Sequence, residues 1–258
     1  MNAFSMDSRF TLGMRVDNTT YDDATRRIID WARGGESRYV CVATVHMVME
    51  SHDSDRFRGF VNGADLVTAD GMPLVWSLRA QGMREASRVY GPHLTESVAR
   101  AAEREHLPVG FYGGTPEVLR ELLRRMSRRL PDLRIVYAWP PPFRPLTPDE
   151  DEKVLQEIRS SGARVLFVGI GCPKQETWMA AHRGCIDGVM LGVGAAFDFL
   201  AGAKHQAPAW MQASGLEWLF RLVTEPRRLW RRYLKQNPRF LALVIMQWLS
   251  ALGRNLRA

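Results

Sequence analysis

Residues 165–182 read VLFVGIGCPKQETWMAAH, and this stretch decides the fold. Its first six residues form a short apolar run rich in Val and Ile, which predicts a buried strand. A glycine-bearing loop follows, and the spacing of apolar residues from Lys174 to His182 predicts a helix. A strand, a tight loop and a helix in this order are typical of a parallel sheet covered by helices.

The same unit recurs along the chain. Further strands are predicted at residues 39–45, 66–69, 109–112, 133–138 and 189–193, and further helices at residues 21–33, 54–62, 72–81, 93–104, 117–130 and 149–160. Thr115 and Thr147 each precede a proline, which predicts a helix N-cap, and Glu150 completes a capping box with Thr147. The alternation predicts an α/β protein with a Rossmann-like parallel sheet and helices on both faces.

The pattern changes after residue 200, where strand signals cease. Residues 216–224, 227–234 and 240–252 are predicted to be helices, with Pro226 and Pro238 between them. We therefore predict an α/β body over residues 1–202 and a helical C-terminal appendage over residues 203–258. The stretch 240–252 is shorter than the about 20 apolar residues that span a bilayer, and it contains Gln247.

The appendage holds the positive charge of the chain. It has ten Lys or Arg against two acids, while the whole chain has 35 against 28, so the body is close to neutral. Aromatic residues stand among the basic ones, as in RRLWRRY at 227–233. This combination predicts an anionic partner, which is a membrane, a nucleic acid or a phosphorylated substrate.

Cysteine usage and the N-terminus indicate the compartment. Cys41, Cys172 and Cys185 form no C-x-x-C pair, which argues against a disulfide scaffold and a structural zinc site. This usage fits a reducing, cytoplasmic environment. The first residues, MNAFSMD, lack the basic and apolar regions of a signal peptide.

Three glycine-bearing loops follow predicted strands, where helix N-termini offer free N–H groups to a ligand. The first contains Gly113 and Gly114, the second Gly169, Gly171 and Lys174, and the third is GVGAAFD at 192–198. Three such loops favour a nucleotide site, whereas one alone is as often a tight turn. Phe197 replaces the last glycine of a dinucleotide fingerprint and no P-loop is present, so we expect no NAD or ATP cofactor.

Polar residues also follow two of the predicted strands. Asp70 follows the strand at 66–69, and Thr44 and His46 stand at the end of the strand at 39–45. Neighbouring strand ends can bring these side chains into one crevice, where a carboxylate can act as a general base. Asp70 can equally cap the helix that starts near Met72. The residues by themselves leave both roles open.

Two acidic stretches have the spacing of a metal-binding D-x-D motif. They are Asp53-Ser54-Asp55 and Asp149-Glu150-Asp151. Neither follows a strand. The first stretch is expected to cap the following helix, and the second to complement the helix dipole in the first turn of its helix. We therefore predict no metal site.

Five ordered motifs make residues 11–240 resemble the WecG/TagA/CpsF glycosyltransferases. They are GIGCPKQE (169–176), GVGAAFDF (192–199), PAWMQ (208–212), GLEW (215–218) and EPRRLWRRY (225–233). The resemblance implies a metal-independent, inverting enzyme of cell-surface polysaccharide synthesis. Such enzymes move a sugar, N-acetylmannosamine in the best-known cases, from a UDP-sugar donor to a polyprenyl-diphosphate-linked acceptor sugar.

The resemblance also implies roles for single residues. Asp70 matches the catalytic base, Thr44 and Gln175 match polar residues of the active site, and Arg88 matches an arginine of the pocket. Asp198 falls at an expected nucleotide contact, and Arg221, Arg228 and Arg231 fall where arginines close over the UDP diphosphate. His46 and His93 replace the Asn and Asp that the family usually has, so the identity of the sugar stays open.

An acceptor on a polyprenyl lipid implies work at a membrane. We expect the protein on the cytoplasmic side, peripherally bound to the anionic inner face of the plasma membrane through Trp230, Arg227, Arg232, Lys235 and residues 240–252. A homo-oligomer is left open. The rival classes are another nucleotide-dependent α/β enzyme and a nucleic-acid-binding protein, whose tail arginines would hold phosphates. Nucleic-acid binding leaves Asp70 and Gln175 without a role, so we expect no nucleic-acid partner.

Overall fold

The computed structural model describes residues 7–255 of the chain, with side-chain surroundings up to residue 250. The elements in chain order are β1 (Ser8–Thr11), β2 (Met14–Asp17), α1 (Tyr21–Arg33), β3 (Arg38–Ala43), α2 (Val45–Asp53), α3 (Asp55–Asn62), β4 (Leu66–Ala69), α4 (Met72–Ala80), α5 (Gly91–Arg104), β5 (Val109–Gly113), α6 (Pro116–Arg129), β6 (Ile135–Trp139), α7 (Pro148–Ser161), β7 (Val165–Gly169), α8 (Lys174–Ala181), β8 (Val189–Gly192), α9 (Ala196–Leu200), α10 (Ala209–Ala213), α11 (Glu217–Thr224) and α12 (Pro226–Asn255).

The main sheet has six strands in the order β4-β3-β8-β7-β5-β6, and all neighbours are parallel. This arrangement confirms the predicted Rossmann-like α/β fold. Apart from Arg38 at the start of β3, the inner strands consist of apolar residues and glycine, as is typical of strands covered on both faces. A separate antiparallel hairpin of β1 and β2 was not predicted, because four-residue strands are too short to show a clear period.

Helices cover both faces of the sheet and enclose two cores. One core contains side chains from α2, α3, α4, α7, α8 and α12, and the other contains side chains from α1, α5, α6 and α9. The helix after β5 and the helix after β7 therefore lie on opposite faces, although these strands are neighbours. Such a change of side opens a crevice at the carboxyl ends of the strands, where this fold class binds ligands.

The predicted strand at residues 39–45 is shorter in the structure, because β3 ends at Ala43. Thr44 has an extended backbone, and its Oγ1 accepts a hydrogen bond from the Met47 N–H at 3.4 Å, so Thr44 is the N-cap of α2. The helix α2 was not predicted. Its two valines favour a strand by propensity, but burial of Met47 and Val48 against the sheet outweighs that preference.

The appendage differs from the prediction at Pro238. The helices predicted at 227–234 and 240–252 are one helix, α12, which continues through this proline. An internal proline removes a backbone hydrogen bond and costs about 3 kcal/mol or more. Contacts with the body offset this cost: the Arg239 guanidinium pairs with the Asp53 carboxylate at 2.5 and 2.6 Å, and Phe240 and Val244 are buried in the first core.

The later part of α12 is tied to the hairpin. Gln247 Nε2 donates to the Phe10 carbonyl at 2.8 Å, and its Oε1 accepts from the Leu12 N–H at 2.9 Å. The helix α12 thus shares a core and hydrogen bonds with the body. The division between residues 1–202 and 203–258 stays a prediction. Within residues 7–255, no helix combines the length and the apolarity that a membrane crossing requires.

Packing requires glycine at Gly169, which gives a test of this sheet edge. A Cβ there would lie 2.8 Å from the Phe197 ring. We expect Gly169→Ala to lower the free energy of unfolding by about 1–3 kcal/mol, as measured by urea denaturation. Gly59→Ala is the matched control, since Gly59 lies in α3 with open space around it; alanine should stabilise this helix by up to about 1 kcal/mol. Equal effects of the two substitutions would contradict the packing at Gly169.

Candidate active site

Asp70 lies directly after β4, at the carboxyl edge of the sheet. Its N–H donates to the Ala43 carbonyl at 2.9 Å, which fixes it beside the end of β3. The N-cap of the following helix α4 is Gly71, and within the described residues no side-chain hydrogen bond caps this helix. Asp70 is therefore not a helix cap, so the capping role that the sequence left open is excluded.

Arg88 joins Asp70 to the appendage. Its Nη2 lies 3.3 Å from Asp70 Oδ1 and 2.6 Å from Glu217 Oε2, and its Nε donates to the Asp70 carbonyl. Gln212 Oε1 accepts from Nη1 at 3.4 Å, and the guanidinium lies 4.3 Å from the centre of the Tyr90 ring. Glu217 was not predicted as a site residue, although it stands in the motif GLEW.

Burial raises the pKa of Asp70 to about 6. The positive charge of Arg88 acts in the opposite direction, and the negative charge of Glu217 raises the pKa further. With a pKa of about 6, the Asp70 carboxylate is mostly ionised at neutral pH and can accept a proton. This is the state that a general base requires.

Gln175 links two of the glycine loops from a buried position. Its Oε1 accepts from the N–H groups of Gly171 at 3.2 Å and Gly194 at 3.1 Å, and its Nε2 donates to Glu176 Oε1 at 2.7 Å. Glu176 is fully buried, and burial raises its pKa to about 7. The pair holds the loops after β7 and β8 at a fixed separation.

The remaining glycines are explained by close packing of the loops after β5 and β7. Gly113 has φ of +138°, and a Cβ there would lie 2.5 Å from the Gly169 backbone. The Gly114 N–H donates to the Gly169 carbonyl at 3.2 Å. The N–H groups of Gly114 and Gly171 are therefore already bonded within the protein. A phosphate-binding role for these glycines stays a prediction.

Lys174, the predicted cation of the second loop, is bonded to a backbone carbonyl. Its Nζ donates to the Phe143 carbonyl at 3.3 Å.

His46 is bound to the appendage. Its Nδ1 lies 3.0 Å from Gln236 Oε1 and 3.5 Å from Glu50 Oε1. Burial lowers its pKa, and the charge of Arg232 lowers it further. His93 is exposed and meets the Tyr90 ring edge-on, with the ring centres 5.4 Å apart. Neither histidine pairs with Asp70.

Two of the predicted arginines lie beside Glu225, an acid of the appendage. Arg228 Nη2 lies 2.6 Å from Glu225 Oε2, and Arg221 Nη2 lies 3.9 Å from Glu225 Oε1. The Arg221 guanidinium also lies 5.6 Å from the Phe199 ring centre. Lys204 bridges Glu225 at 3.3 Å and the predicted nucleotide contact Asp198 at 2.9 Å. A cavity of about 270 Å³ lies here, lined by Phe199, Ala203, Lys204, His205, Arg221, Thr224 and Glu225.

The structure does not bring Arg231 to this group. It is exposed, and its guanidinium lies 5.2 Å from the ring centre of its neighbour Trp230. The charge of Arg232 lowers the pKa of His46. The assignment of Arg232 to the membrane stays a prediction. The sequence could not separate two adjacent arginines, because only their positions around the helix differ.

The two acidic stretches have structural roles in the described part of the chain. Ser54 caps α3 by accepting from the Phe57 N–H at 3.2 Å, and Thr147 and Glu150 form the predicted capping box at α7. Among the residues described here, no three His, Cys, Asp or Glu side chains group as metal ligands.

A largely buried carboxylate of raised pKa beside an arginine, at the ligand-binding edge of a Rossmann-like sheet, is typical of an enzyme active site. The model of the glycosyl transferase WecG/TagA/CpsF family matches residues 10–254. The chain therefore belongs to this family of glycosyltransferases. The match confirms the family that the five motifs indicated, and it favours an enzyme over a nucleic-acid-binding protein.

The charge of Glu217 gives a test of the site. Glu217→Gln removes a negative charge that raises the pKa of Asp70, so the midpoint of the Asp70 titration should move below its present value of about 6. The midpoint can be followed by ¹³C NMR of Asp-labelled protein, with the signal assigned through Asp70→Asn. Glu121→Gln, which removes a half-buried acid from α6, is the matched control and should leave the midpoint unchanged. An upward shift in Glu217→Gln would contradict the described contacts.

Proposed function

We propose that this glycosyltransferase moves a sugar from a UDP-sugar to a polyprenyl-diphosphate-linked acceptor sugar, with inversion and without a metal, in cell-surface polysaccharide synthesis. The observation that carries the proposal is the Asp70 carboxylate, held by Arg88 at the ligand-binding edge of the sheet. Its pKa of about 6 suits a base that works near neutral pH. Family membership supports sugar transfer as the reaction.

In the proposed mechanism, Asp70 accepts the proton of an acceptor hydroxyl. The hydroxyl oxygen forms a bond to the anomeric carbon on the face opposite UDP. The bond between that carbon and the UDP oxygen breaks, its electron pair stays on the diphosphate, and the configuration inverts. Arg88 positions the carboxylate, since it contacts both the side chain and the carbonyl of Asp70.

The leaving diphosphate gains negative charge that must be stabilised. We assign this role to Arg221 and Arg228, because guanidinium groups bind phosphate oxygens bidentately. Their position beside Lys204 and Asp198, which we retain as the nucleotide contact, supports the assignment. Thr44 and Gln175 shape the edge of the pocket through the α2 cap and the loop contacts already described.

Removing the base gives the first functional test. Asp70→Asn should lower turnover by about 10²–10⁴-fold, because an amide cannot accept the proton, while UDP should still bind. Transfer can be measured with a lipid-diphosphate-linked acceptor and a panel of UDP-sugars. Asp30→Asn, which changes an exposed residue of α1 paired with Arg33, is the control and should keep full turnover. Near-normal turnover of Asp70→Asn would refute its role as the base.

We further propose that α12 meets an anionic membrane at the inner face of the plasma membrane. One stripe of this helix is apolar, with each side chain at least half exposed; it consists of Leu234, Leu241, Ile245 and Leu249. The side of the helix with Phe240 and Val244 packs on the body, whereas the exposed stripe is available to lipid. Basic residues near an anionic leaflet add about 1 kcal/mol each.

Polar substitutions on this stripe test membrane contact. Leu241→Asn combined with Ile245→Asn should weaken binding to phosphatidylglycerol vesicles by at least about tenfold, since burial of each side chain contributes on the order of 1–2 kcal/mol. Co-sedimentation measures the binding. Phe143→Ser is the matched control, because Phe143 is a highly exposed apolar residue of the body and should not contribute. An unchanged double variant would refute the stripe as the contact.

A further inference from the structure

Two aromatic rings join the two halves of the proposed site. The Arg88 guanidinium, which contacts Asp70, lies 4.3 Å from the centre of the Tyr90 ring. The centres of the Tyr90 and Phe199 rings are 6.2 Å apart. The Phe199 ring in turn lies 5.6 Å from the Arg221 guanidinium and lines the cavity of about 270 Å³. Tyr90 therefore stands between the proposed base and an arginine assigned to the leaving diphosphate.

Backbone contacts fix Tyr90 at the carboxyl edge of the sheet. The Val89 N–H donates to the carbonyl of Ala69, the last residue of β4, at 2.9 Å. The Tyr90 N–H donates to the Tyr21 hydroxyl at 2.8 Å. The His93 ring also packs against the Tyr90 ring. The ring is thus held beside Asp70 by its own main chain and by its neighbours.

The Tyr90 hydroxyl is buried without a partner. The residue is 4% exposed, and its hydroxyl makes no hydrogen bond with any residue that the structure describes. A buried tyrosine hydroxyl usually bonds to a polar group. Arg221 Nε, beside the same Phe199 ring, is likewise buried and unbonded within the described residues. Two unsatisfied donors therefore lie near Phe199, and an oxygen atom of a ligand can accept from each of them.

The charged groups that act on this hydroxyl belong to both halves of the site. Burial raises the pKa of Tyr90, and the charges of Glu217 and Asp70 raise it further. The charges of Arg88 and Arg221 act in the opposite direction. This agrees with the ring contacts, which place Tyr90 between the two halves.

In a single displacement, the transferred sugar lies between the base and the leaving diphosphate. Asp70 takes the proton of the acceptor hydroxyl on one side of the anomeric carbon, and the diphosphate leaves from the other side. The space between Asp70 and Arg221 is therefore the place of the sugar ring. A sugar carries hydroxyl groups that donate and accept hydrogen bonds, as a tyrosine hydroxyl does.

We propose that the Tyr90 hydroxyl forms a hydrogen bond to a hydroxyl group of the transferred sugar and contributes to the choice of sugar. The inference rests on the proposed function and names a residue that recognises the sugar itself. Tyr90 is buried while Glu217 holds α11 against Arg88, so the sugar reaches the hydroxyl when α11 moves away. A site that pairs with a substrate hydroxyl discriminates against sugars that lack it, because its own polar group is then left unpaired.

The test compares Tyr90→Phe with Tyr137→Phe. Both remove a buried hydroxyl that has no partner in the described part of the chain, but Tyr137 lies in β6, at the opposite edge of the sheet from β4. Calorimetry of the full chain measures the affinities for UDP, UDP-glucose, UDP-N-acetylglucosamine and UDP-N-acetylmannosamine. We expect Tyr90→Phe to weaken the UDP-sugar that the wild type binds most tightly by about tenfold, which corresponds to about 1.4 kcal/mol. Its affinity for UDP, and every affinity of Tyr137→Phe, should stay within about twofold of the wild type.

Thermal unfolding separates this contact from a structural role. Loss of an unbonded buried hydroxyl should leave the thermal midpoint of both variants at or above that of the wild type. A lower midpoint in Tyr90→Phe shows that the hydroxyl already bonds within the protein, and this result overturns the inference.

The binding data have equally definite outcomes. Unchanged affinity of Tyr90→Phe for the UDP-sugars, an equal loss for UDP, or a wild type that binds none of the three UDP-sugars overturns the inference. If Tyr90→Phe loses affinity for a UDP-sugar alone, but the wild type transfers no sugar to a lipid-diphosphate-linked acceptor, the inference stands and the proposed acceptor fails.

Discussion

The guanidinium of Arg88 is the contact on which the site depends. It lies between Asp70, at the end of β4, and Glu217, at the start of α11, at 3.3 and 2.6 Å. Without the intervening charge, the two carboxylates would repel each other in a poorly solvated position. The face of Tyr90 supports the same guanidinium. The interaction that opposes the effect of burial on the pKa of Asp70 is therefore also one of the contacts that join the appendage to the body.

The appendage serves several purposes because α12 presents different residues on different sides. Phe240 and Val244 complete a core of the body, and Gln236 and Arg239 bond to α2. Leu241 and its stripe remain exposed. Glu217 reaches Arg88 from the preceding helix, so the environment of Asp70 described here exists when the appendage is docked. In the proposed function, arrival at the lipid and completion of the site would then occur together.

Much of the fold and part of the site follow from local signals. The strand and helix periods, the caps at Thr115 and Thr147 and the loop glycines predict a covered parallel sheet, and Asp70 stands where a strand end predicts a functional side chain. The contacts of Asp70 are not local. Arg88 and Glu217 are 129 residues apart in the chain, so no spacing or period in the sequence connects them.

The sequence by itself determined the α/β class, the family and the basic character of the appendage. Periodicity, motifs and charge depend on residues that lie close together in the chain. The tertiary structure alone decided the strand order, the continuity of α12 through Pro238, the buried bridge from Gln175 to the two loops, and the acid with which Arg239 pairs. These features arise from packing between distant segments. Burial and side-chain pairing across that distance outweigh the local preferences that a sequence displays.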